Sequence, residues 1–370
     1  MEIKAYLDNA STTKVATEVE KAIKDAPWAN PGTKHWPGKA AKKAMYDARQ
    51  LVASRLGADS DEIVFTSGGT ESDNLAILGA ARANKGNHVI TAKTEHKAVL
   101  GACKQLEQEG DKVTYLSVDR NGFIDIDELE SAITNDTVLV SIMHVNNETG
   151  TIQPVEEIAK ICKAKGVLFH TDAVQGFTKL DLDLSGIDLM SMSSHKIHGP
   201  KGVGALYVKK GTKLAAIMYG GKHELGLRPG TENVPGIVGF ATAVELAKPG
   251  DAVAIKKLRC GFAERLLEIP DSFLNGPEER VCHILNIGFK GIDAQELMQH
   301  LDARGICVSA GAACAEQSIE PSHVLKAIGL SDEDAKSSIR FSLSRYTTKE
   351  ELGITVAACK EIVEKLRSLQ

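Results

Sequence analysis

Residues 193–202 read Ser-Ser-His-Lys-Ile-His-Gly-Pro-Lys-Gly, and this stretch of the 370-residue chain is the most informative about its fold. A short apolar run precedes it. Upstream, a second apolar run leads into residues 170–175, which read His-Thr-Asp-Ala-Val-Gln. A lone lysine or aspartate is usually a solvated surface charge. Because Asp172 and Lys196 each follow an apolar segment with strand character, we expect both at the ends of buried strands.

The chemistry of these two side chains indicates a cofactor. A lysine amine condenses with an aldehyde, and an aspartate keeps a pyridinium nitrogen protonated, which makes the ring an acceptor of electrons. Asp172 followed by Lys196 therefore suits an enzyme that binds pyridoxal phosphate (PLP) as a Schiff base.

Strand and helix patterns alternate through the first two thirds of the chain. We predict strands over residues 63–65, 88–91, 112–117, 138–143, 167–171, 188–192 and 203–208. We predict helices over residues 38–56, 71–83, 97–109, 126–133 and 155–165. Short apolar strands that alternate with helices indicate a mostly parallel sheet covered on both faces. Such open sheets bind ligands at the carboxyl ends of their strands.

The pattern changes after residues 248–250, which read Lys-Pro-Gly. Beyond them we predict helices over 252–267, 294–304, 321–328 and from 349, and strands over 284–289, 306–309 and 339–343. This arrangement indicates a large α/β domain over residues 12–247 that binds the cofactor. Residues 1–11 and 248–370 are expected to form a smaller α+β domain, within the usual size of a domain.

The composition is that of an ordinary globular protein, with 43% hydrophobic and 25% charged residues and a net charge of −5. Without a basic run, we expect no nucleic-acid binding. No apolar stretch of about 18 residues predicts a membrane span, and the first residues have no signal-peptide core. Seven cysteines without paired spacing favour a reducing compartment. We therefore expect a cytoplasmic enzyme, and no metal site is predicted.

Other polar segments also follow predicted strands. Residues 66–72 read Thr-Ser-Gly-Gly-Thr-Glu-Ser, where glycines and the Thr70 hydroxyl suit an anion at a helix N-terminus. A tight turn with Thr70 as the helix N-cap is the alternative. His96 suits stacking on a planar ring and proton transfer, or is a structural histidine. The asparagines within residues 144–150 suit a hydrogen bond to a phenolic oxygen, or a turn.

With these residues in place, the chain resembles the cysteine desulfurases of the first group, which are fold-type I PLP enzymes of the class V aminotransferase family. The resemblance covers nearly the whole chain. It rests on segments that occur in family order, at residues 6–13, 66–72, 94–100, 144–150, 170–175, 193–202, 228–233 and 338–343. Their joint presence is far more specific than any one of them.

The resemblance implies a set of cofactor contacts. Lys196 would bind PLP covalently, Asp172 would pair with the pyridine nitrogen, and His96 would stack on the ring. Asn147 and Gln175 would contact the ring hydroxyl. The residues that would hold the phosphate are Gly69, Thr70, Ser193 and His195.

The resemblance also implies substrate and partner contacts. Arg340 would bind the substrate α-carboxylate, a task that the planar guanidinium suits, and Asn30 would make a second carboxylate contact. Thr231 would reach the PLP phosphate of a neighbouring subunit, which implies a homodimer. A sulfur-acceptor or iron–sulfur scaffold protein is the further partner implied.

Cys314 differs from the other cysteines because it lies in a stretch of small residues, 310–317, which reads Ala-Gly-Ala-Ala-Cys-Ala-Glu-Gln. The others fall within or beside predicted elements, namely Cys103, Cys162, Cys260, Cys282, Cys307 and Cys359. We expect most of them, including Cys307, to be buried and inert. The resemblance implies that Cys314 takes sulfur from L-cysteine as a persulfide, leaving L-alanine, for iron–sulfur cluster or thio-cofactor assembly. Alanines replace the serine-rich stretch that often precedes this cysteine in the family.

Two rival interpretations remain open from the sequence. The first is a selenocysteine lyase or another class V PLP enzyme, such as an aminotransferase, which has no use for a nucleophilic thiol. The second is a non-catalytic protein of the same fold, which would be expected to have lost Lys196, Asp172, His96 or Arg340. All four are present.

Overall fold

The computed structural model describes residues 2–310 and 321–369. The strands are β1 (Ala5–Tyr6), β2 (Ile63–Thr66), β3 (His88–Ala92), β4 (Lys112–Leu116), β5 (Thr137–Ser141), β6 (Leu168–Asp172), β7 (Leu189–Ser193), β8 (Gly204–Val208), β9 (Ser272–Leu274), β10 (Ile284–Phe289), β11 (Ile306–Cys307) and β12 (Ser338–Ser342). The helices are α1 (Thr17–Asp25), α2 (Trp36–Leu56), α3 (Gly69–Ala83), α4 (Lys97–Glu109), α5 (Ile126–Ala132), α6 (Val155–Lys165), α7 (Val234–Leu246), α8 (Asp251–Leu267), α9 (Ala294–Asp302), α10 (His323–Ala327), α11 (Asp332–Lys336) and α12 (Lys349–Ser368).

The main sheet has seven strands in the order β2-β8-β7-β6-β5-β3-β4. All neighbours from β7 to β4 are parallel, and β8 is antiparallel to both β7 and β2. The predicted α/β fold with a mostly parallel sheet is therefore confirmed. Because β2 and β7 are both antiparallel to β8, they run in the same direction, and their carboxyl ends lie at the same edge of the sheet.

Side chains alternate between the two faces of this sheet, as the pleat of a strand requires. Phe65, Val140 and Phe169 belong to a core with apolar residues of α1, α2, α6 and α7. Their sequence neighbours Val64 and Leu139 belong to a second core, shared with α3 and α4. Both faces are thus buried under helices, which explains why the strands read as continuous apolar runs.

A third core lies outside this sheet. Strands β9, β10 and β12 form an antiparallel sheet, and β1 pairs with β11 in parallel. Ala5 and Leu7 at the start of the chain pack in one cluster with apolar residues of α8, α9 and α12. Asp8 also bridges to Ser342 at the end of β12. The division at residues 11/12 and 247/248 stays our prediction.

Several elements differ from the prediction. Helix α7 was not predicted because its sequence, Val-Pro-Gly-Ile-Val-Gly-Phe-Ala-Thr-Ala-Val-Glu-Leu, is apolar nearly all round and therefore lacks amphipathic periodicity. The short elements α1, α11, β1 and β9 were also missed. Strand β11 ends at Cys307, not at residue 309, and Cys307 is only partly buried, so its placement in the core was wrong. Among the described residues, no helix is both long enough and apolar enough to cross a membrane.

Candidate active site

The predicted site residues lie at the carboxyl ends of strands in the main sheet. Asp172 is the last residue of β6, and Ser193 is the last of β7. Lys196 follows Ser193 within one turn of 3₁₀-helix. His96 lies between β3 and α4, where it is the N-cap of the helix. Residues from three different strands therefore reach one edge, because the parallel strands of the sheet all end there.

These side chains surround one cavity of about 240 Å³. The predicted residues that line it are Gly69, Thr70, His96, Asn147, Asp172, Gln175, Ser193, His195, Lys196 and Arg340. The same cavity is lined by Asp73, for which the sequence predicted no role.

The side chain of Lys196 is fixed by two hydrogen bonds to the backbone. Its Nζ donates to the carbonyl oxygens of Ala10, at 2.6 Å, and Ser11, at 2.7 Å. Burial, followed by the positive charge of Arg340, lowers the pKa of Lys196 to about 8, although Asp172 and Asp8 act in the opposite direction. Because only the neutral amine is a nucleophile, this shift prepares Lys196 for covalent chemistry near neutral pH.

This lowered pKa predicts how the free protein captures an aldehyde. Below pH 8 the Lys196 ammonium cannot attack, whereas above pH 8 the amine is neutral and can. The rate at which cofactor-free protein captures added PLP is therefore expected to rise with pH around a midpoint near 8. Stopped-flow absorbance at a series of pH values measures this rate. A midpoint near the ordinary lysine value, about 10.4, would contradict the lowered pKa.

Three buried carboxyl groups lie near one another beside Lys196. Burial raises the pKa of Asp172 to about 6, opposed by the Val174 N–H, which donates to Asp172 Oδ1 at 2.9 Å, and by the charge of Lys196. Burial raises the pKa of Asp73 and of Glu95 well above the ordinary values, and the charge of Asp172 adds to both shifts. With a pKa of about 6, Asp172 is mostly ionised at pH 7, which is the state that a protonated pyridine nitrogen requires.

The other end of the cavity suits an anion. Helix α3 begins there at Gly69, and helix N-termini attract negative charge through their free N–H groups. A Cβ atom at Gly69 would lie 2.9 Å from Cγ2 of Val174, so only glycine allows this close approach. The hydroxyl of Ser193 is buried and has no hydrogen-bond partner among the described residues. His195 and Thr70 complete this end.

His96 is neutral in this site. Its Nδ1 accepts a hydrogen bond from the N–H of Ala98 at 3.2 Å, so in the neutral ring Nε2 carries the proton. Burial, and then the charge of Lys196, lowers the pKa of His96 to about 4. The ring is therefore uncharged at pH 7, and its Nε2–H is available as a hydrogen-bond donor.

Arg340, on β12, is the cation of the opposite wall and is only 1% exposed. Its guanidinium donates to Asp8 Oδ1 at 2.9 Å and to the Ser11 hydroxyl at 2.6 Å. A third bond goes to the carbonyl oxygen of Asn147, at 2.9 Å. These bonds connect the C-terminal sheet to the start of the chain and orient the guanidinium beside the cavity.

The remaining predicted residues lie elsewhere. Asn30 is exposed and accepts a hydrogen bond from the N–H of Gly32 at 2.8 Å, and it does not line the cavity. Thr231 is also exposed and outside the cavity. Cys314 lies outside the described residues. The roles of all three stay predictions.

Comparison with known proteins gives the family of this chain. Residues 5–354 match the family described as Aminotransferase class-V. A cysteine desulfurase IscS from Dictyoglomus turgidum is 47% identical over 381 residues, covering 100% of this chain and 97% of that protein. The chain belongs to the cysteine desulfurases of the class V aminotransferase family. A second member, a cysteine desulfurase IscS from Escherichia coli O139:H28, is 48% identical over 386 residues, with 100% and 95% coverage.

Solved structures of similar proteins share the fold. A structure described as a NifS-like protein has a TM-score of 0.91 and 38% identity, and the match covers 98% of this chain and 99% of that one. One described as SspA in complex with cysteine has a TM-score of 0.83 and 39% identity, with 93% and 100% coverage. The family resemblance seen in the sequence is thus confirmed.

The class V desulfurases depend on PLP, so PLP is the cofactor of this chain, and the cavity fits it. An ionised Asp172 suits the pyridine nitrogen, and the unpartnered Ser193 hydroxyl beside the N-terminus of α3 suits the phosphate. A nucleophilic amine at Lys196 lies on the same cavity and suits the aldehyde. When bound there, PLP supplies an electron sink for the bonds broken at the substrate Cα.

Sequence reasoning missed several residues that shape this site. Ala10 and Ser11 act through backbone carbonyls, which no side-chain motif reveals. Asp8 acts as the ion-pair partner of Arg340. Asp73 was detectable in principle, because it is three residues after Thr70 and therefore lies on the same face of α3.

Proposed function

We propose that this chain converts L-cysteine to L-alanine and retains the sulfur on Cys314 as a persulfide. The observation that carries the proposal is the single cavity where Lys196, Asp172, His96 and Arg340 meet. A cofactor-binding lysine and aspartate, a neutral histidine and a carboxylate-binding arginine are the groups that this reaction requires at one place.

Each lining residue has a task in the proposed reaction. Arg340 binds the α-carboxylate of cysteine, since charge-assisted bonds from a guanidinium are strong and directional. Lys196, once released from the cofactor, takes the α-proton at Nζ, which its lowered pKa favours. His96, neutral in this site, offers its Nε2–H as a hydrogen-bond donor to the reacting groups. Asp172 holds the cofactor ring nitrogen protonated.

The sulfur step conserves atoms and electrons without an external oxidant. The Cys314 thiolate attacks the sulfur of cysteine and forms an S–S bond, while the carbon–sulfur bond breaks and its electron pair stays on carbon. That carbon is then protonated, which gives alanine, and the sulfur remains as a persulfide. The thiolate form is required because the neutral thiol is a poor nucleophile.

The described residues on both sides of the Cys314 segment support this assignment. On one side, Ser309 is hydrogen-bonded through its backbone to Arg340, at 2.7 and 3.2 Å. On the other side, Nε2 of His323 lies 3.0 Å from the carbonyl oxygen of Glu95, the residue before His96. The described residues that flank positions 311–320 in the sequence therefore contact Arg340 and the residue next to His96.

Mass spectrometry of the holoenzyme tests the function directly. After a brief exposure to L-cysteine without reductant, the peptide that contains Cys314 is expected to gain the mass of one sulfur atom. Alanine is expected in equal amount. Alanine formation without a sulfur added at Cys314 would refute the proposed acceptor, and fragment ions that place the added sulfur on Cys307 instead would reassign it.

We also propose a homodimer in which Thr231 reaches the phosphate of the partner's cofactor. Thr231 is exposed and does not line the cavity of its own chain, so its side chain is available to a second subunit. Trp36 and Tyr219, 80% and 87% exposed, are large apolar side chains that suit burial against a second subunit.

We further propose cytoplasmic delivery of the sulfur to an acceptor or iron–sulfur scaffold protein.

Subunit mixing tests the shared site. A dimer of one Lys196→Ala subunit and one Thr231→Ala subunit contains one site with both residues intact. When equal amounts of the two variants exchange subunits at random, half of the subunits with an intact Lys196 have a partner with an intact Thr231. The mixture is therefore expected to show about half of the wild-type activity per intact Lys196. If Thr231 acted in its own subunit, the mixture would show only the activity of the Thr231→Ala protein.

A further inference from the structure

His283, which directly precedes β10, contacts an active-site residue from the C-terminal part of the chain. It is 2% exposed, and its Nε2 lies 3.0 Å from Oε1 of Gln175. Gln175 lines the cofactor cavity, whereas His283 does not. Among the described residues, the side-chain hydrogen bond of His283 to a residue of the cofactor cavity is the one with Gln175.

The direction of this hydrogen bond follows from the other end of the amide. Nε2 of Gln175 donates to the carbonyl oxygen of Ala10 at 2.9 Å, and a carbonyl oxygen can only accept. The Gln175 oxygen must therefore face His283. It follows that Nε2 of His283 carries the proton and donates it to Gln175.

Ala10 connects this pair to the catalytic lysine. The same carbonyl oxygen accepts from Nζ of Lys196 at 2.6 Å and from Gln175 at 2.9 Å. A continuous hydrogen-bond chain thus runs from His283 through Gln175 and Ala10 to Lys196. A reversed Gln175 amide would point its oxygen at the Ala10 oxygen, which is repulsive.

The surroundings keep His283 uncharged. Burial, and then the positive charges of Lys179, Arg340 and Lys196, lower the pKa of His283 well below its ordinary value. Its Nδ1 has no hydrogen-bond partner among the described residues. His283 also lines a separate cavity of about 40 Å³, which has room for a water molecule to bind that nitrogen.

We propose that His283 is a positioning residue for the cofactor. It fixes the Gln175 amide so that its nitrogen faces Ala10 and the edge that contacts the cofactor ring faces the cavity. This inference rests on the proposed function only in that Gln175 contacts the cofactor ring. Its effect on the ring passes through Gln175, so the two side chains must act as one unit.

Two substitutions separate this role from a packing role. His283→Leu removes the donor, whereas His283→Gln places an amide N–H near the position of Nε2. In His283→Leu, the dissociation constant for PLP is expected to rise and kcat/KM to fall, each about tenfold, the value of one buried hydrogen bond. The pH at which the absorption band of the bound cofactor changes is also expected to shift, and His283→Gln is expected to restore all three.

His88→Leu is the matched control. His88 is also buried, 6% exposed, and bonded to Thr137 and Thr114, but it lies at the start of β3, away from the cavity. Its loss is expected to lower stability and leave the cofactor band at its wild-type pH. A band shift in His88→Leu equal to that in His283→Leu would overturn the proposal, as would failure of His283→Gln to recover.

Two further measurements do not depend on desulfurase activity. With Gln175→Leu already present, His283→Leu is expected to add less than about twofold to the loss in PLP affinity, since residues that act as a unit are non-additive. Full additivity would overturn the proposal. Nitrogen NMR of the cofactor-free wild-type protein is expected to show His283 protonated at Nε2 alone. Protonation at Nδ1 would overturn the inference even if the variants did not fold.

Discussion

Lys196→Ala is expected to abolish covalent binding of PLP and to lower cysteine desulfurase activity by at least about 10³-fold, the scale set by losing an acid–base group and a covalent anchor together. The reason is local. Among the described residues, Lys196 is the lysine that lines the cofactor cavity, and its pKa is lowered to about 8.

Absorbance spectroscopy and mass measurement check this result. Wild-type protein with PLP is expected to show a band near the edge of the visible range and, after borohydride reduction, the mass of the protein plus cofactor. Lys196→Ala is expected to lose the covalent mass. Lys201→Ala is the matched control, because Lys201 is exposed and lies in the same segment. A reduced covalent adduct in Lys196→Ala would show that another lysine carries the cofactor.

The fold was predictable where side chains repeat with a period. Strand β6 begins with the apolar residues Leu168 and Phe169, and its polar end, residues 170–172, marked the site. Helix α7 was not predictable in the same way, because a helix that is buried nearly all round has no polar face to set the period.

The site was predictable where chemistry depends on the side chain. The residue types of Lys196 and Asp172 already limit the cofactor. The contacts of Lys196 with Ala10 and Ser11 were not predictable, because every residue has a carbonyl oxygen and only the fold brings these two to Nζ. The same holds for His283, which is 108 positions from its partner Gln175.

Cys314→Ser is expected to keep bound PLP but to lower sulfide release from cysteine under reductant by at least about 10³-fold, as loss of a covalent nucleophile does in other enzymes. The substitution replaces sulfur by oxygen and changes little in size. A serine hydroxyl is not ionised near neutral pH and cannot accept sulfur, whereas a cysteine thiol, with a pKa near 8.5, reaches the thiolate form.

Cys307→Ser is the control for this variant. Cys307 is only partly buried and lies on β11, shortly before the Cys314 segment. Burial raises the pKa of its thiol, which makes it a poor nucleophile. Its substitution is expected to leave both the cofactor band and sulfide release within about twofold of wild type, as surface-type changes usually do.

The pair of variants also separates the desulfurase from its rivals. An aminotransferase of the same fold does not use a thiol, so Cys314→Ser would keep full activity with an amino acid and a keto acid. A selenocysteine lyase would keep its activity on selenocysteine if selenium left without attack by the thiol. Retained PLP together with lost sulfur transfer from cysteine therefore assigns the chemistry to one side chain. Alanine forms only when the electron pair of the carbon–sulfur bond stays on carbon, and the sulfur must then be taken by an acceptor.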